Sequence, residues 1–284
     1  MKRTLFLVLY LILIPLLGAA QDSCKITYIS NEGFLIEASG KKVLIDGLFD
    51  HIVGDWCDSP TEQTVALMKA AAPPFDLVDL IAITHNHRDH FNDQVLFNHL
   101  LNNPRGLVIC PNQVAEVLSV HPEYEKFKNR IIALTPPEYQ DSTVVVSGIP
   151  IRVMRLEHSY FMEEDSVTGT MRNRHRDIEN LGYLMNINGT KIFHCGDTNP
   201  LNSKEYSTFA LQKDSIDIAF LERMFVAYGK EGSDIINNYI QPDHTVFMHI
   251  NPGNRDTFIN YFKKVENITI FEQKMESLYY DTSK

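Results

Sequence analysis

The sequence lacks several motifs that would assign its chemistry directly. Its four cysteines contain no CxxC pair, so a redox or zinc-ribbon site has no support. No GxSxG motif is present, so a serine nucleophile is not indicated. No low-complexity linker divides the chain either. Strand-like segments alternate with helical ones throughout, which predicts one α/β domain rather than two.

Basic residues are outnumbered by acidic ones. The chain has 26 Lys and Arg against 36 Asp and Glu, which gives a formal net charge of −10. Proteins that bind nucleic acid or anionic membranes need a basic face to neutralise phosphates. We therefore expect no nucleic-acid partner, and a small-molecule substrate is favoured.

The N-terminus has the pattern of a secretory signal peptide over residues 1–20. Lys2 and Arg3 precede a 13-residue apolar stretch, and small residues follow up to Ala20. A membrane anchor is the alternative, but residues 4–20 are at the short limit for spanning and Pro15 interrupts them. We expect cleavage after Ala20 and export to the periplasm or medium, with no stable membrane anchor afterwards.

The expected mature chain, residues 21–284, has 284 − 20 = 264 residues and is long enough for one large core. Only Lys2 and Arg3 are lost, so the net charge becomes −10 − 2 = −12. In an exported protein the four cysteines allow two disulfides in any of three connectivities, although a chain of this size does not require them.

Local patterns place the main elements. A helix is expected over residues 61–72, stopped by the two prolines that follow. Asn188-Gly189 predicts a tight hairpin inside "LGYLMNINGTKIFHCGD". The segment after His158 is long and polar, and it is expected to be a loop.

One loop concentrates residues of the metal-ligand type. His85, His87, Asp89 and His90 lie within six positions, directly after the apolar run "LIAIT". Strand ends are where rigid scaffolds present functional side chains. Imidazole and carboxylate are ligands that suit zinc, and packing alone gives no reason for this density. The loop therefore either completes one site or begins two.

If two sites begin here, the remaining ligands should also lie at strand ends. Three residues qualify: His158 after "IRVMRLE", Asp197 after "KIFHCG" and His249 after "TVFM". With the loop they make seven ligands, enough for a dinuclear centre.

These residues and their order resemble the metallo-β-lactamase fold superfamily, over the whole mature chain. The resemblance implies a four-layer αβ/βα sandwich with its metals at one edge. It also implies that His85, His87 and His158 hold one zinc, that Asp89, His90 and His249 hold the other, and that Asp197 bridges them. Asp46 matches the early aspartate of the family, which supports the metal loop from behind the ligands.

The chemistry implied is hydrolysis. Two zinc ions, with Mn or Fe as alternatives, lower the pKa of a shared water so that a bridging hydroxide exists near neutral pH. Asp197 and Asp89 are the predicted catalytic residues. Asp89 is expected to orient the hydroxide and to pass a proton to the leaving group.

This sequence differs from some branches of the superfamily, and the differences reduce the number of substrate classes to consider. True β-lactamases resembling this set lack a bridging aspartate, whereas Asp197 is present here. The diiron redox branch usually has a glutamate where His87 stands, and it carries a flavin domain. The lactonase-like and phosphodiesterase-like hydrolases remain closest, so an ester, lactone or phosphodiester is expected. A non-catalytic zinc-binding protein, a diiron redox protein and a β-lactam hydrolase are the alternatives.

Two segments are candidates for substrate binding. Arg172, Arg174 and Arg176 lie in the polar segment after His158, where they can steer an anionic group. The alternative is a solvated loop in which acidic neighbours, residues 163–165, offset these charges. Trp56 is a candidate for an apolar wall.

Overall fold

The computed structural model describes residues 23–54 and 56–282. The predicted signal peptide, residues 1–20, lies outside them. In the first half the strands are β1 (Ser23–Ser30), β2 (Gly33–Ala38), β3 (Lys41–Ile45), β4 (Leu80–Ala82), β5 (Leu107–Cys110) and β6 (Ile131–Ala133). The helices there are α1 (Glu62–Lys69), α2 (Asp93–Asn102), α3 (Asn112–Ser119) and α4 (Tyr124–Phe127).

The second half has the larger share of strands. They are β7 (Asp141–Val146), β8 (Ile149–Leu156), β9 (Met162–Glu164), β10 (Met171–Asn173), β11 (Asn180–Ile187), β12 (Thr190–His194), β13 (Ile218–Glu222), β14 (His244–Met248), β15 (Ile268–Thr269) and β16 (Ser277–Asp281). The helices are α5 (Ser203–Phe209), α6 (Met224–Ala227), α7 (Lys230–Ile235) and α8 (Arg255–Phe262), and a π-helical turn, Ile236–Ile240, continues α7.

The strands form two seven-stranded sheets and one small hairpin. The first sheet has the order β16-β1-β2-β3-β4-β5-β6 and the second the order β15-β14-β13-β12-β11-β8-β7. In both sheets antiparallel strands at one side give way to parallel strands, at β3–β4 and at β12–β13. The C-terminal strand β16 pairs with β1, so the end of the chain closes the edge of the first sheet.

The two sheets pack face to face because successive side chains in a strand point to opposite faces. In β2, Phe34 and Ile36 enter the core shared with the second sheet, whereas Leu35 enters the core beneath α1 and α2. The ring centroids of Phe34 and Phe220 are 4.5 Å apart across the sheets. Burial of each such side chain contributes about 1.5–3 kcal/mol. Helices cover both outer faces, and the predicted αβ/βα sandwich is confirmed.

The predicted hairpin between β11 and β12 is also confirmed. Asn188 and Gly189 have φ of 51° and 105°, the left-handed conformations that a tight two-residue turn requires. The helix expected over residues 61–72 is shorter. Thr61 caps it by accepting a hydrogen bond from the Thr64 amide, but it ends at Lys69, because Ala71 is left-handed with φ 45°.

The polar segment after His158 was expected to be a loop, and that prediction was wrong in part. It contains the hairpin β9–β10. Asp165 turns the chain, because its carboxylate accepts the Val167 and Thr168 amides at 2.9 Å each. No alternation of apolar and polar residues marked these strands, since much of the hairpin is exposed.

No helix in the described part of the chain is both long and apolar enough to cross a membrane.

Candidate metal centre

The histidine-rich loop begins where β4 leaves the sheet. Thr84 fixes this exit, since its amide and hydroxyl donate to the two carboxylate oxygens of Asp46 at 2.8 and 2.5 Å. His85 and His90 are fully buried and Asp89 is nearly so. The short turn after the strand thus folds its ligand-type side chains inward.

The three later candidates come from the other sheet. His158 follows β8, Asp197 follows β12 and His249 follows β14, each within three residues of the last strand residue. Asn180 on β11 holds the Asp197 position, because its side-chain oxygen accepts the Asp197 amide at 3.2 Å and its NH₂ donates to the Cys195 carbonyl at 3.2 Å. The structure therefore brings all seven predicted ligands to one edge of the sandwich.

The first group consists of His85, His87, His158 and Asp197, with one ligand atom from each within 4.8 Å of the others. The His158 Nε2 atom is 3.3 Å from His85 Nε2 and 3.6 Å from Asp197 Oδ2. His158 Nδ1 donates to the Ser159 carbonyl at 2.9 Å, which turns Nε2 toward the group.

The second group consists of Asp89, His90 and His249. Asp89 Oδ2 is 3.6 Å from His90 Nε2 and 3.4 Å from His249 Nε2. Asp197 also reaches this group, since its Oδ1 is 3.5 Å from His90 Nε2 and its Oδ2 is 3.6 Å from His249 Nε2. Asp197 therefore lies between the two groups.

Asp46 lies behind the loop as expected of a supporting residue. His90 Nδ1 donates to Asp46 Oδ2 at 2.8 Å, which leaves His90 Nε2 facing the ligand group. Asp46 has φ 44°, a conformation that aspartate and asparagine tolerate better than most residues. A carboxylate behind a histidine fixes the tautomer and orientation of the ring.

Two atoms that face these groups are buried without a hydrogen-bond partner in the described structure: His90 Nε2 and Asp197 Oδ1. Leaving buried polar atoms unpaired is costly. Converging imidazole nitrogens and carboxylate oxygens are a donor set for zinc, manganese or iron. The residues fit a metal centre, and a metal would satisfy the nitrogen and oxygen atoms that face the groups.

The histidines of the two groups have pKa values shifted in opposite directions. Burial lowers the pKa of His87 to about 4 and that of His158 to about 3, so both are neutral and their nitrogens are free to coordinate. For His249, burial opposes the charge, but Asp197 and Asp89 raise its pKa to about 9. His90 and His249 also hold the pKa of Asp197 well below its usual range, against the effect of burial.

Three residues near the groups, Asn31, Glu32 and Glu222, were not singled out from the sequence. Asn31 Nδ2 donates to Asp89 Oδ2 at 3.0 Å. Glu32 and Glu222 are buried carboxylates beneath Asp197, and burial raises the pKa of both. The ring of His175 also lies beside the first group, 4.8 Å from that of His87 and 4.3 Å from that of His158. Glu222 is the last residue of the apolar strand β13, so the pattern that identified His158, Asp197 and His249 could also have identified Glu222.

A cavity of about 850 Å³ opens above the two groups. Its floor includes His87, Asp89, His158, Asp197 and His249. That volume falls within the range of small-molecule sites.

Trp56 lines this cavity as expected for a wall residue and is 40 % exposed. Its segment is tied down by Asp58, which accepts hydrogen bonds from the Tyr28 hydroxyl and from Arg255 Nη2 at 2.6 Å each. Arg88 lies over the Trp56 ring at 5.5 Å.

The three predicted substrate arginines separate in the structure. Arg174 lines the cavity, whereas Arg176 lines a smaller neighbouring pocket of about 200 Å³ that shares His158. Arg172 pairs with Asp165 at 3.5 Å and Arg174 with Glu163 at 3.3 Å. Acidic neighbours therefore offset two of these charges, as in the alternative interpretation of this segment.

All four cysteines lie in the described part of the chain and are buried free thiols, so neither of the two allowed disulfides is present. Burial raises the pKa of Cys57 and Cys195. A thiol with a raised pKa is a poor nucleophile, so these residues act as small core side chains.

The fold and the two donor groups define a metal-dependent hydrolase, and comparison with known proteins agrees. Residues 41–251 match the family model described as a beta-lactamase superfamily domain, so the chain belongs to this superfamily, in its metallo-β-lactamase fold branch. A "UPF0173 metal-dependent hydrolase" of Methanosarcina mazei is 25 % identical over 228 residues, which cover 80 % of this chain and 83 % of the relative.

Solved structures share the fold at low identity. Igni18, a metallo hydrolase of Ignicoccus hospitalis, superimposes with a TM-score of 0.57 at 16 % identity, covering 91 % of this chain and 98 % of that protein. CmlA, a diiron beta-hydroxylase of Streptomyces venezuelae, gives 0.53 at 13 % identity over 91 % of this chain and 54 % of its own. At these identities the likeness concerns the fold alone.

Proposed function

We propose that the protein is a dinuclear zinc hydrolase that acts on a small anionic ester, lactone or phosphodiester. One observation carries the dinuclear part: Asp197 contacts the ligand atoms of both donor groups, within 3.8 Å of His85, His90, His158 and His249. A carboxylate in that position joins two metal sites into one centre.

When bound, the two ions would supply Lewis-acid chemistry, activating water for attack and stabilising charge on the substrate. His85, His87 and His158 would hold one ion, and Asp89, His90 and His249 would hold the other.

Asp89 has a second role in the proposal. Its Oδ2 accepts from Asn31 Nδ2, which fixes the carboxylate at the cavity floor. A fixed carboxylate beside the reacting atoms would orient the attacking water, accept its proton and pass that proton to the leaving group.

The test is the initial rate of the purified full-length protein, loaded with zinc, on matched phosphodiester, ester, lactone and β-lactam probes. An Asp197→Asn variant serves as the control, because it keeps the shape of the side chain and removes its charge. Turnover that falls at least about 100-fold in the variant supports a dinuclear hydrolase, and the best probe identifies the bond. Turnover that is unchanged in the variant contradicts the proposal.

The alternatives give different results in the same assay. A zinc-binding protein without activity binds the metal and turns over none of the probes. A diiron redox protein absorbs visible light with iron and needs a reductant. The open cavity above the donor groups favours an enzyme over zinc storage, and preference for the β-lactam probe would reassign the substrate.

Metal identity is tested separately. Imidazole-rich sites suit zinc, and the carboxylates of Asp89 and Asp197 extend the range to manganese and iron. Elemental analysis of protein purified from its own host, compared with activity after loading with each metal, identifies the ion. Highest activity with zinc supports the proposal.

Export is proposed on the N-terminal pattern of residues 1–20. The N-terminal sequence of protein isolated from the periplasm or medium tests it. We expect a mature chain that begins at Gln21, and intact cytoplasmic protein beginning at Met1 would contradict export.

A further inference from the structure

Three arginines line the cavity, and they come from three different elements. Arg88 lies within the metal loop between His87 and Asp89, Arg174 follows β10, and Arg223 follows β13. Only Arg174 was singled out from the sequence. One of them is paired with a carboxylate, and the other two are not.

Arg174 is compensated by its own segment. Its Nε is 3.3 Å from the Glu163 carboxylate, and its guanidinium lies 5.7 Å from the centre of the Phe161 ring. Both partners lie in or beside the hairpin β9–β10. The positive charge of Arg174 is thus shared with a neighbouring acid before any ligand arrives.

Arg88 and Arg223 have no such partner. Within the described residues, neither guanidinium comes within 4.0 Å of a carboxylate oxygen. Arg88 stacks on Trp56, and Arg223 Nη1 reaches only the sulfur of Met224 at 3.3 Å. The Nε atom of Arg223 is buried without a hydrogen-bond partner.

A half-buried guanidinium with an unpaired N–H is costly unless an anion completes it. Guanidinium groups bind carboxylate and phosphate oxygens with charge-assisted hydrogen bonds. The backbone of both arginines lies beside the cavity floor. Arg88 precedes Asp89 and Arg223 follows Glu222, and all four residues line the cavity. Trp56 and Tyr228 add apolar surface to the same cavity, 40 % and 37 % exposed.

We propose that Arg88 and Arg223 bind an oxyanion of the substrate, a carboxylate or phosphate separate from the bond that is hydrolysed. The substrate is then a small amphipathic anion whose apolar segment contacts Trp56 and Tyr228. This inference rests on the proposed hydrolase function for its catalytic part, whereas anion binding by the two arginines does not require turnover.

The kinetic test uses two esters of equal chain length. In mono-4-nitrophenyl succinate a carboxylate stands where 4-nitrophenyl butyrate has a methyl group. We expect Arg88→Gln and Arg223→Gln to raise KM for the succinate ester about 10-fold or more, with little change for the butyrate ester. Arg174→Gln is the comparison from the same cavity, and it should raise KM for the succinate ester less than either of these variants, because Glu163 already offsets the Arg174 charge.

A KM ratio of the two esters that stays the same in both variants, or that changes equally in Arg174→Gln, overturns the proposal. The corresponding ester of 3-phosphonopropionate distinguishes a phosphate from a carboxylate. Metal content measured for each variant shows whether the fold and the floor are intact. If Arg223→Gln does not fold, the comparison is made between Arg88→Gln, at an exposed residue, and Arg174→Gln.

A binding measurement separates this inference from the hydrolase proposal. Calorimetry of the zinc-loaded protein compares succinate with succinamate, which keeps one carboxylate and replaces the other with an amide. We expect tighter binding of succinate by about 10-fold or more, and loss of that preference in Arg223→Gln. Equal affinities in the unmodified protein would overturn the anion site even if esters are hydrolysed. Preference for succinate without turnover would leave the site standing and remove the hydrolase function.

Discussion

The floor of the cavity is made of side chains at the ends of strands, whereas one of its walls, residues 159–175, includes a small hairpin on the surface. Floor residues such as His158 and Asp197 are buried, and each follows a strand of the second seven-stranded sheet. On the wall, Met162 is 50 % exposed and Met171 is 59 % exposed. Strand ends hold their side chains rigidly, so the floor has little freedom to adapt and the wall has more.

The largest expected effect tests how tightly the floor is packed. Gly196, next to Asp197, has φ 57°, and an added Cβ would stand 2.3 Å from Asn180 Oδ1. Left-handed backbone and overpacking each cost about 1–3 kcal/mol for other residues. We expect Gly196→Ala to lower the free energy of unfolding by about 3 kcal/mol and to weaken metal binding. Denaturant titration and metal titration measure both, with Gly253→Ala as a control at a glycine that has no left-handed φ and where an added Cβ meets no neighbour.

A buried histidine outside the floor and the wall allows the pH dependence of folding to be measured apart from metal binding. His99 in α2 is buried, its Nδ1 donates to the Met68 carbonyl at 2.8 Å, and burial lowers its pKa to about 4. In the unfolded chain it titrates near 6.5 and takes up a proton first, so stability is lost as pH falls from about 6.5 toward 4.

The loss attributable to His99 reaches about 3 kcal/mol at the acid end of that range. Denaturant titrations at several pH values, compared between the unmodified protein and His99→Asn, measure it. The asparagine Nδ2 matches the position of His99 Nδ1, which donates to the Met68 carbonyl, but the amide does not titrate. Identical pH dependence of the two proteins would contradict the prediction.

The next effect concerns the support behind the floor. Asp46→Asn keeps the shape and the left-handed conformation but removes the charge that orients His90 through its Nδ1. Loss of such a partner typically costs 10–100-fold in metal affinity. Competition with a chelator should show this weakening, and an affinity within about 2-fold of the unmodified protein would show that Asp46 does not support the loop.

The smallest effect is expected on the wall. Arg172 is exposed and pairs with Asp165 inside the hairpin. Exposed ion pairs contribute about 0–1 kcal/mol. Arg172→Gln should leave KM unchanged within error and change the free energy of unfolding by less than about 0.5 kcal/mol. A large rise in KM would place the hairpin in direct contact with the substrate.

The same difference explains what the sequence could predict. The motif of His85, His87, Asp89 and His90 is contiguous, and His158, Asp197 and His249 each follow an apolar strand, so residue type and position indicated the floor. Strong local signals such as Asn188-Gly189 also sufficed. These features depend on short stretches of chain.

Other features depend on contacts between distant segments. The hairpin β9–β10 has exposed strands without apolar alternation, and Glu32 is buried only because both sheets close over its turn. Arg88 and Arg223 differ from Arg174 because, within the described residues, no carboxylate oxygen lies within 4.0 Å of either guanidinium, although each follows or precedes an acidic residue in the sequence. The sequence shows how many charged residues there are, but it does not show which of them form ion pairs.

Metal stoichiometry tests the central claim most directly, which is that Asp197 joins two donor groups into one centre. Full-length protein and its Asp197→Asn variant are stripped of metal, titrated with zinc and measured by elemental analysis after removal of free ions. We predict two zinc ions per chain in the unmodified protein and at most one retained by the variant at the same free zinc concentration. One ion per chain in the unmodified protein, or two held with equal affinity by the variant, would contradict the account.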